Sequence, residues 1–385
     1  MRIAYFSEVY WPKISGVSHT LVRTVDGLQA RGHSARVYTP RLAEVGADRP
    51  EVHRSPGRPI ALDRSIPWGF PRKHEVLRDL RRFDPDIVHL ATEFPMGRVG
   101  AWAARKLGIP RIASAHTDYE KYSSLYGLGM VMKPGWVYLR RFYANAGRVL
   151  CPSRPYEAHL NARGVAHTSI WSRGVDTRRF HPGYRSDEWR ARFGIGPDDL
   201  LVAYVGRLAP EKNLHLLMAA WESLSGMARG ADGRNVALSF VGDGLMEEEI
   251  GRRALWNAHL TGPLEGTELA TAYASADVFL FPSSTETFGN CLLEAMASGV
   301  PAAAVRGGGV LDYAEDKVNC LLARPDDVRD YARRIRRLLE DDELRGRIRE
   351  GGLATAHERS WDAVFARLLA DYREVARIPA FDHAA

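Results

Sequence analysis

Two stretches of this 385-residue chain carry side chains whose types and spacing suit chemistry. The first is Glu286-Thr-Phe-Gly-Asn-Cys-Leu-Leu-Glu294, inside FPSSTETFGNCLLEAMASGVP. An apolar strand runs into a turn, and a helix is predicted to start near Phe288 or Gly289. Backbone N–H groups point outward at such an end and attract an anion or sugar hydroxyls. Glu294 follows about one and a half turns later. Two carboxylates so placed could clamp hydroxyls of a sugar and of a ribose. The plainer alternatives are a capping acid at Glu286 and a solvated helix face at Glu294. The second stretch is VGRLAPEKN at 205–213. It follows another apolar strand, and after Gly206 it sets Arg207 and Lys212 five residues apart around a Pro-containing turn. Arginine chelates oxygens in bidentate fashion and lysine acts as a point charge, so the pair suits a diphosphate. Two surface cations are the alternative.

Two earlier loops carry weaker signals. In EVYWPKISGV (8–17), Gly16 would let backbone approach a phosphate closely. The loop is not GxGxxG, and an ordinary β–α turn is the alternative. In SAHTDYEKY (114–122), His116 ends a predicted strand, with Asp118 and Glu120 placed to bind acceptor hydroxyls. A satisfied structural histidine is the alternative there. Metal chemistry finds no support. Cys151, Cys291 and Cys320 are widely spaced without a CxxC pair. The one acidic D-x-D, Asp84-Pro-Asp86, leads into a strand at its amino end, the wrong end for a ligand site.

The composition fits a folded chain able to hold such loops. Hydrophobic residues are 45% and charged residues 26%, which argues against a disordered or collagen-like chain. The length suggests two domains at about 100–200 residues each. No run of about 20 apolar residues is present, and MRIAYFS does not read as a secretory signal. With sparse cysteine, the expected location is the cytoplasm, with peripheral contact at the inner membrane face as a further expectation. The formal charge is +6. Of 53 basic residues 46 are arginine, a bias that a GC-rich genome also produces. The excess favours anionic partners.

The elements that must position these loops alternate between strand and helix. In the first half, strands are read at 2–7, 34–39, 86–90, 110–115 and 149–151, with helices at 17–31, 97–107 and 154–163. The pattern restarts at LLVAYVG (200–206), with further strands at 237–242, 277–283 and 301–306. Helices are read near 212–226, 266–274, 289–298 and 326–340, and a last one at 361–377. The fold expected is α/β: two doubly wound parallel-sheet domains, 1–175 and 176–360, facing each other across a cleft. The polar segment 172–182 is the linker. The C-terminal stretch 361–385 is expected to pack back on the first domain.

Together these loops resemble the GT-B glycosyltransferases of family 4, over nearly the whole chain. The anchors are SGV at 15–17, DIVHLATE at 86–93, HTDYEKY at 116–122, VGRLAPEKN, VGDG at 241–244, SADVFLFPSSTETFGNCLLEAMASGVP and NCLLARPDD at 319–327. Within the family the chain is most similar to GDP-mannose-dependent α-mannosyltransferases acting on phosphatidylinositol or glycolipid acceptors. The resemblance implies two Rossmann-like domains and retaining, metal-independent hexosyl transfer without a cofactor. GDP-mannose is the favoured donor and a UDP-sugar the next. It implies that Arg207 and Lys212 neutralise the departing diphosphate, while Gly206 and Thr287 lie in the same donor loops. Glu286, with the N–H groups of Phe288 and Gly289, would hold the donor sugar, and Glu294 the ribose. Gly262 and Leu264 would frame the base, Gly16 and Val17 would approach the β-phosphate, and His116 would lie beside the anomeric carbon. Asp118, Tyr119 and Tyr122 would meet a hydroxyl acceptor, either a glycolipid or a small molecule. The sequence departs from the family at three places: Ser15 where asparagine is frequent, Asn319-Cys320 where Asn-Gly is usual, and Gly307-Gly308-Gly309 in place of a more decorated loop. A cysteine at a φ > 0 turn position is unfavourable, so a reshaped turn is expected at 320.

Other functions stay open on residues alone. A sugar-nucleotide epimerase or a phosphorylase would use the same scaffold. The basic aromatic segment Tyr122–Arg148 would suit an anionic membrane surface, or else forms a helix packed at the cleft. Nucleic acid is not expected as a partner, since no recognition signature is present.

Overall fold

The computed structural model of the chain describes residues 1–12, 16–41, 48–59, 67–120, 132–227 and 233–377. They form two compact units. The first holds described residues up to 119, then 132–172 and 362–377; the second holds Glu120 and 173–361.

The first unit opens with β1 (Arg2–Phe6), α1 (Gly16–Gln29), β2 (Ser34–Pro40) and β3 (Val52–Ser55). A small antiparallel pair follows, β4 (Gly57–Pro59) with β5 (Pro67–Gly69). Then come α2 (Lys73–Phe83), β6 (Ile87–Leu90), α3 (Pro95–Leu107), β7 (Arg111–Ser114), α4 (Met132–Tyr143), β8 (Arg148–Cys151), α5 (Arg154–Ala162) and β9 (Thr168–Ile170). Seven parallel strands lie in the order β3-β2-β1-β6-β7-β8-β9. The central strands β6 and β7 are wholly buried, as a sheet covered on both faces requires.

The second unit runs α6 (Asp187–Ala191), β10 (Leu200–Val205), α7 (Leu214–Ser223), β11 (Val236–Val241), α8 (Glu247–Arg252), β12 (Ala258–Gly262), α9 (Gly266–Ala274) and β13 (Val278–Phe281). It continues with α10 (Asn290–Ala297), β14 (Ala302–Val305), β15 (Leu321–Ala323), α11 (Val328–Glu340) and α12 (Asp342–Glu358). Six strands lie in the order β12-β11-β10-β13-β14-β15.

In both sheets the chain winds outward from its first strand, then returns to that strand's other side. This creates a switch point between β1 and β6, and another between β10 and β13. Loops at the carboxyl ends diverge there and leave a crevice for ligand. A buried arginine braces the amino ends of the second pair. Arg190 donates to Asp277 Oδ2 at 2.7 Å, to the Ser275 carbonyl at 2.9 Å and to the Asp199 carbonyl at 2.7 Å. Asp277 Oδ2 also accepts from the Leu201 N–H at 2.7 Å. The ends of β10 and β13 opposite the crevice are thereby tied together.

The last helix, α13 (Trp361–Ala376), packs within the first unit. Phe365 fills the space above Gly27 of α1, where a Cβ would stand 2.2 Å from its ring. Arg148 of β8 pairs with Asp371 at 2.5 Å and Glu374 at 2.6 Å.

The structure gives physical detail to three sequence expectations. Of the segment 122–148, residues 132–148 are described, and its apolar face is not free for a membrane. Leu139, Phe142 and Tyr143 are buried in the first unit's core, with Trp136 and Tyr138 packed against them. Cys320 does not take a positive φ; the left-handed residue is Lys317, at φ 65°. Asn319 is buried and holds that turn, accepting from the Glu315 N–H at 2.8 Å and donating to the Tyr313 carbonyl at 2.8 Å. Asp84 and Asp86 both serve Arg2: Asp84 pairs with its guanidinium at 2.5 Å, and Asp86 accepts from its backbone N–H at 2.7 Å. Among the described residues, no helix is long and apolar enough to cross a membrane.

Candidate active site

The second unit brings Arg207, Lys212 and Glu286 to its switch point. Arg207 follows β10 by two residues, and Lys212 ends the short 3₁₀ turn Pro210–Lys212. Glu286 lies in the loop after β13. The Lys212 ammonium donates directly to Glu286 Oε1. Both side chains are partly open, at 17% and 26% exposure, so a ligand can reach them. Arg207 is more open, at 51%.

Glu211, which the sequence reading passed over, organises this cluster. Its carboxylate is 1% exposed and lies 2.5 Å from Arg207 Nη2. Its carbonyl accepts from the Thr285 hydroxyl at 2.8 Å. The loop carrying the cations is thus stitched to the loop carrying Glu286. The i,i+4 spacing of Arg207 and Glu211 inside VGRLAPEKN was the available signal.

The glycine triplet at 307–309 braces the Glu286 loop from behind. A Cβ on Gly309 would stand 1.9 Å from the Thr287 carbonyl oxygen, and one on Gly308 would stand 2.4 Å from that of Glu286. Backbone contact this close admits only glycine. The Gly309 N–H donates to the Glu286 carbonyl at 2.6 Å. The triplet is therefore a bearing surface for the loop, as well as a loss of decoration.

The helix after Glu286 starts at Asn290, with Gly289 as its N-cap at φ 91°. The Tyr313 hydroxyl donates to the Gly289 carbonyl at 2.6 Å. Phe288 is buried against Tyr313. Glu294 is not on a solvated face. It is half-buried and accepts from the Tyr273 hydroxyl at 2.9 Å. Burial raises its carboxyl above the ordinary range. Cys291, one helical turn before, is pushed up to about 12, first by burial and then by Glu294 and Glu286.

Other predicted donor residues lie farther along the same sheet edge. Gly262 ends the edge strand β12, and its carbonyl accepts from the Gly242 N–H at 2.9 Å. Leu264 packs against the core cluster of Trp189 and Phe193.

In the first unit, Gly16 and Val17 open α1; Gly16 is exposed. His116 follows β7 and is buried, with Nε2 2.8 Å from Ser114 Oγ. Asp118 and Tyr119 turn inward. Asp118 is buried with His159 3.8 Å away, and the Tyr119 hydroxyl donates to Glu93 Oε2 at 2.8 Å. Direct acceptor contact by these two is not what their positions offer. Tyr122 lies outside the described residues.

Two buried acids that the sequence reading did not single out sit at this unit's switch point. Glu8, after β1, accepts from the Thr92 hydroxyl and from the Met96 N–H, the latter at 2.6 Å. It joins the loop after β1 to the start of α3. Burial pushes its carboxyl up to about 7, with Glu93 adding to the rise. Glu93 is also raised by burial and accepts from Tyr119 and Tyr143.

Both units are similar to known proteins. Residues 14–179 match the description Glycosyltransferase Family 4, and residues 185–354 match Glycosyl transferases group 1. A GDP-mannose-dependent alpha-mannosyltransferase from Corynebacterium glutamicum is 34% identical over 380 residues, covering 97% of this chain and 89% of that protein. One of the same name from Mycobacterium tuberculosis is 39% identical over 320 residues, covering 81% of each. Among solved structures, a sucrose-phosphate synthase from Thermosynechococcus elongatus superposes with a TM-score of 0.76 at 19% identity, covering 97% of this chain and 98% of that one.

Proposed function

This chain belongs to glycosyltransferase family 4, and we propose that within it the protein transfers mannose from GDP-mannose to a hydroxyl acceptor, retaining anomeric configuration and needing no metal ion. Its two units are those of the GT-B fold, and its class is hexosyltransferase. The donor assignment draws on the mannosyltransferases above, each at least 34% identical over most of this chain.

The observation that carries the reading is the Arg207, Lys212 and Glu286 cluster at the β10/β13 switch point. A departing diphosphate accumulates negative charge, and fixed cations at that point stabilise the transition state. Single donors of this kind are worth roughly 3–4 kcal/mol. Arg207 and Lys212 supply two positive charges, and the start of α10 adds N–H groups. On binding, the diphosphate takes Lys212 from Glu286, freeing that carboxylate for the sugar hydroxyls. Glu294 holds the ribose, and His116 hydrogen-bonds the transferred sugar. In the step itself the bond from the anomeric carbon to the phosphate oxygen breaks. A bond to the acceptor oxygen forms on the same face. The acceptor proton passes to the leaving phosphate oxygen.

The test is donor turnover by purified protein in EDTA. GDP-mannose should release GDP at least tenfold faster than UDP-glucose releases UDP. Preference for UDP-glucose, or dependence on added Mg²⁺, overturns the donor or the metal-free reading respectively.

A further inference from the structure

A line of hydrogen bonds crosses the interior of the first unit and ends on His116. Tyr5 Oη lies 3.1 Å from Tyr372 Oη, which lies 2.6 Å from His89 Nδ1. His89 Nε2 lies 2.9 Å from Ser114 Oγ, and Ser114 Oγ lies 2.8 Å from His116 Nε2. The residues come from β1, α13, β6, β7 and the loop after β7. All five are buried. The His89 ring is packed by Tyr5, Tyr372 and Trp171, with centroids 5.2, 5.8 and 5.2 Å away.

Each hydroxyl in this line has one proton to donate, and each uncharged imidazole has one N–H. Four orderings satisfy every link, but in two of them Ser114 or Tyr372 accepts from both neighbours and its own hydroxyl hydrogen finds no acceptor in the line. In the first of the other two, Tyr5 donates to Tyr372, Tyr372 to His89 Nδ1, His89 Nε2–H to Ser114, and Ser114 to His116 Nε2. In the second every bond reverses, and the Tyr5 hydroxyl hydrogen is left without an acceptor among the described residues. A buried donor without a partner is costly, while a spare lone pair on the same oxygen costs less. The first ordering is therefore preferred. It occupies His116 Nε2 with the Ser114 proton and leaves the His116 proton on Nδ1.

We propose that Tyr372, His89 and Ser114 are positioning residues that hold His116 as its Nδ1–H tautomer, so that it acts in transfer as a hydrogen-bond donor through Nδ1. This rests on the role proposed for His116 above. It also gives α13 a task beyond packing, because that helix brings in Tyr372. Tyr5 is dispensable: without it, Tyr372 still donates to His89 and the order is unchanged.

The experiment reads the His116 tautomer by ring-nitrogen NMR of ¹⁵N-histidine-labelled protein, assigned by the signal lost in His116→Gln, together with donor kinetics. In the unaltered protein Nδ1 should be protonated and Nε2 not. Ser114→Ala and Tyr372→Phe should give mixed tautomers and a kcat about tenfold lower with KM for the donor unchanged. Tyr5→Phe should keep both tautomer and kcat. An Nε2–H tautomer in the unaltered protein, or a single unchanged tautomer in Ser114→Ala, overturns the relay. Should His116→Ala transfer at full rate, the role of His116 fails separately, whatever the tautomer shows.

Discussion

Lys212 and Glu286 are joined by a direct charge-assisted hydrogen bond, although they follow different strands and lie 74 residues apart. The pair holds the loops after β10 and β13 in mutual register before any ligand arrives. Lys212→Ala, Glu286→Ala and Arg207→Ala are each expected to lower kcat/KM at least 100-fold. Because Lys212 and Glu286 act as a unit, the double variant should lose far less than the product of the two single losses. Lys212→Ala and Glu286→Ala should unfold at temperatures close to the unaltered protein, since neither side chain is in the core. Arg207→Ala should melt lower, because it removes a cation from the buried Glu211 carboxylate. Near-normal turnover in any single variant counts against the site.

Glu211 tests whether Arg207 must be aimed. Its buried carboxylate is held 2.5 Å from Arg207. Glu211→Gln keeps the shape and removes the charge. The expected result is a KM for the donor about tenfold higher, with the thermal midpoint little changed. A Glu211→Gln protein with the original KM would show that Arg207 finds its place unaided.

The glycine triplet tests the bearing surface. Gly309→Ala puts a methyl group 1.9 Å from the Thr287 carbonyl oxygen. Overpacking of this kind costs about 1–3 kcal/mol, so the thermal midpoint should fall by several degrees. Turnover should fall further than stability explains, because the displaced loop carries Glu286.

Glu8 gives a pH signature. Its carboxyl rises from 4.5 unfolded to about 7 folded. The folded chain then binds this proton more tightly, so its contribution is full below pH 4.5 and is lost as pH climbs to about 7. The loss amounts to about 3 kcal/mol. Glu8→Gln cannot ionise and keeps an oxygen for the Met96 N–H. Thermal melts should find it equal to the unaltered protein at pH 4 and more stable at pH 8. A constant difference across that range would remove Glu8 as the source.

Much of this architecture was legible in the sequence, and what escaped has physical causes. The strands that went unread in the main sheets, β3, β9, β12 and β15, are all edge strands. Three of them are half-exposed, and β9 and β15 have three residues each, so no long apolar run marks them. Helix α12 was also missed, for its Gly351-Gly352 pair reads as a break. The structure needs the first of these glycines, since a Cβ at 351 would meet the Val318 carbonyl oxygen at 2.1 Å. Arg207, Lys212 and Glu286 were legible because each follows a fully apolar strand. Glu8 and Glu93 were not, since an isolated acid beside a strand carries no sign of the partners that bury it. Asp118 and Tyr119 were read as facing ligand because loop position says nothing of side-chain direction.

The central claim is that cations of the second unit, without metal, grip a guanosine diphosphate. Calorimetric titration of GDP into protein in EDTA tests it most directly, run beside the Arg207→Ala, Lys212→Ala double variant. Tight binding by the unaltered protein, weakened at least 100-fold in the variant, is the result expected. Equal affinity in both proteins, or binding that begins only after Mg²⁺ is added, contradicts it.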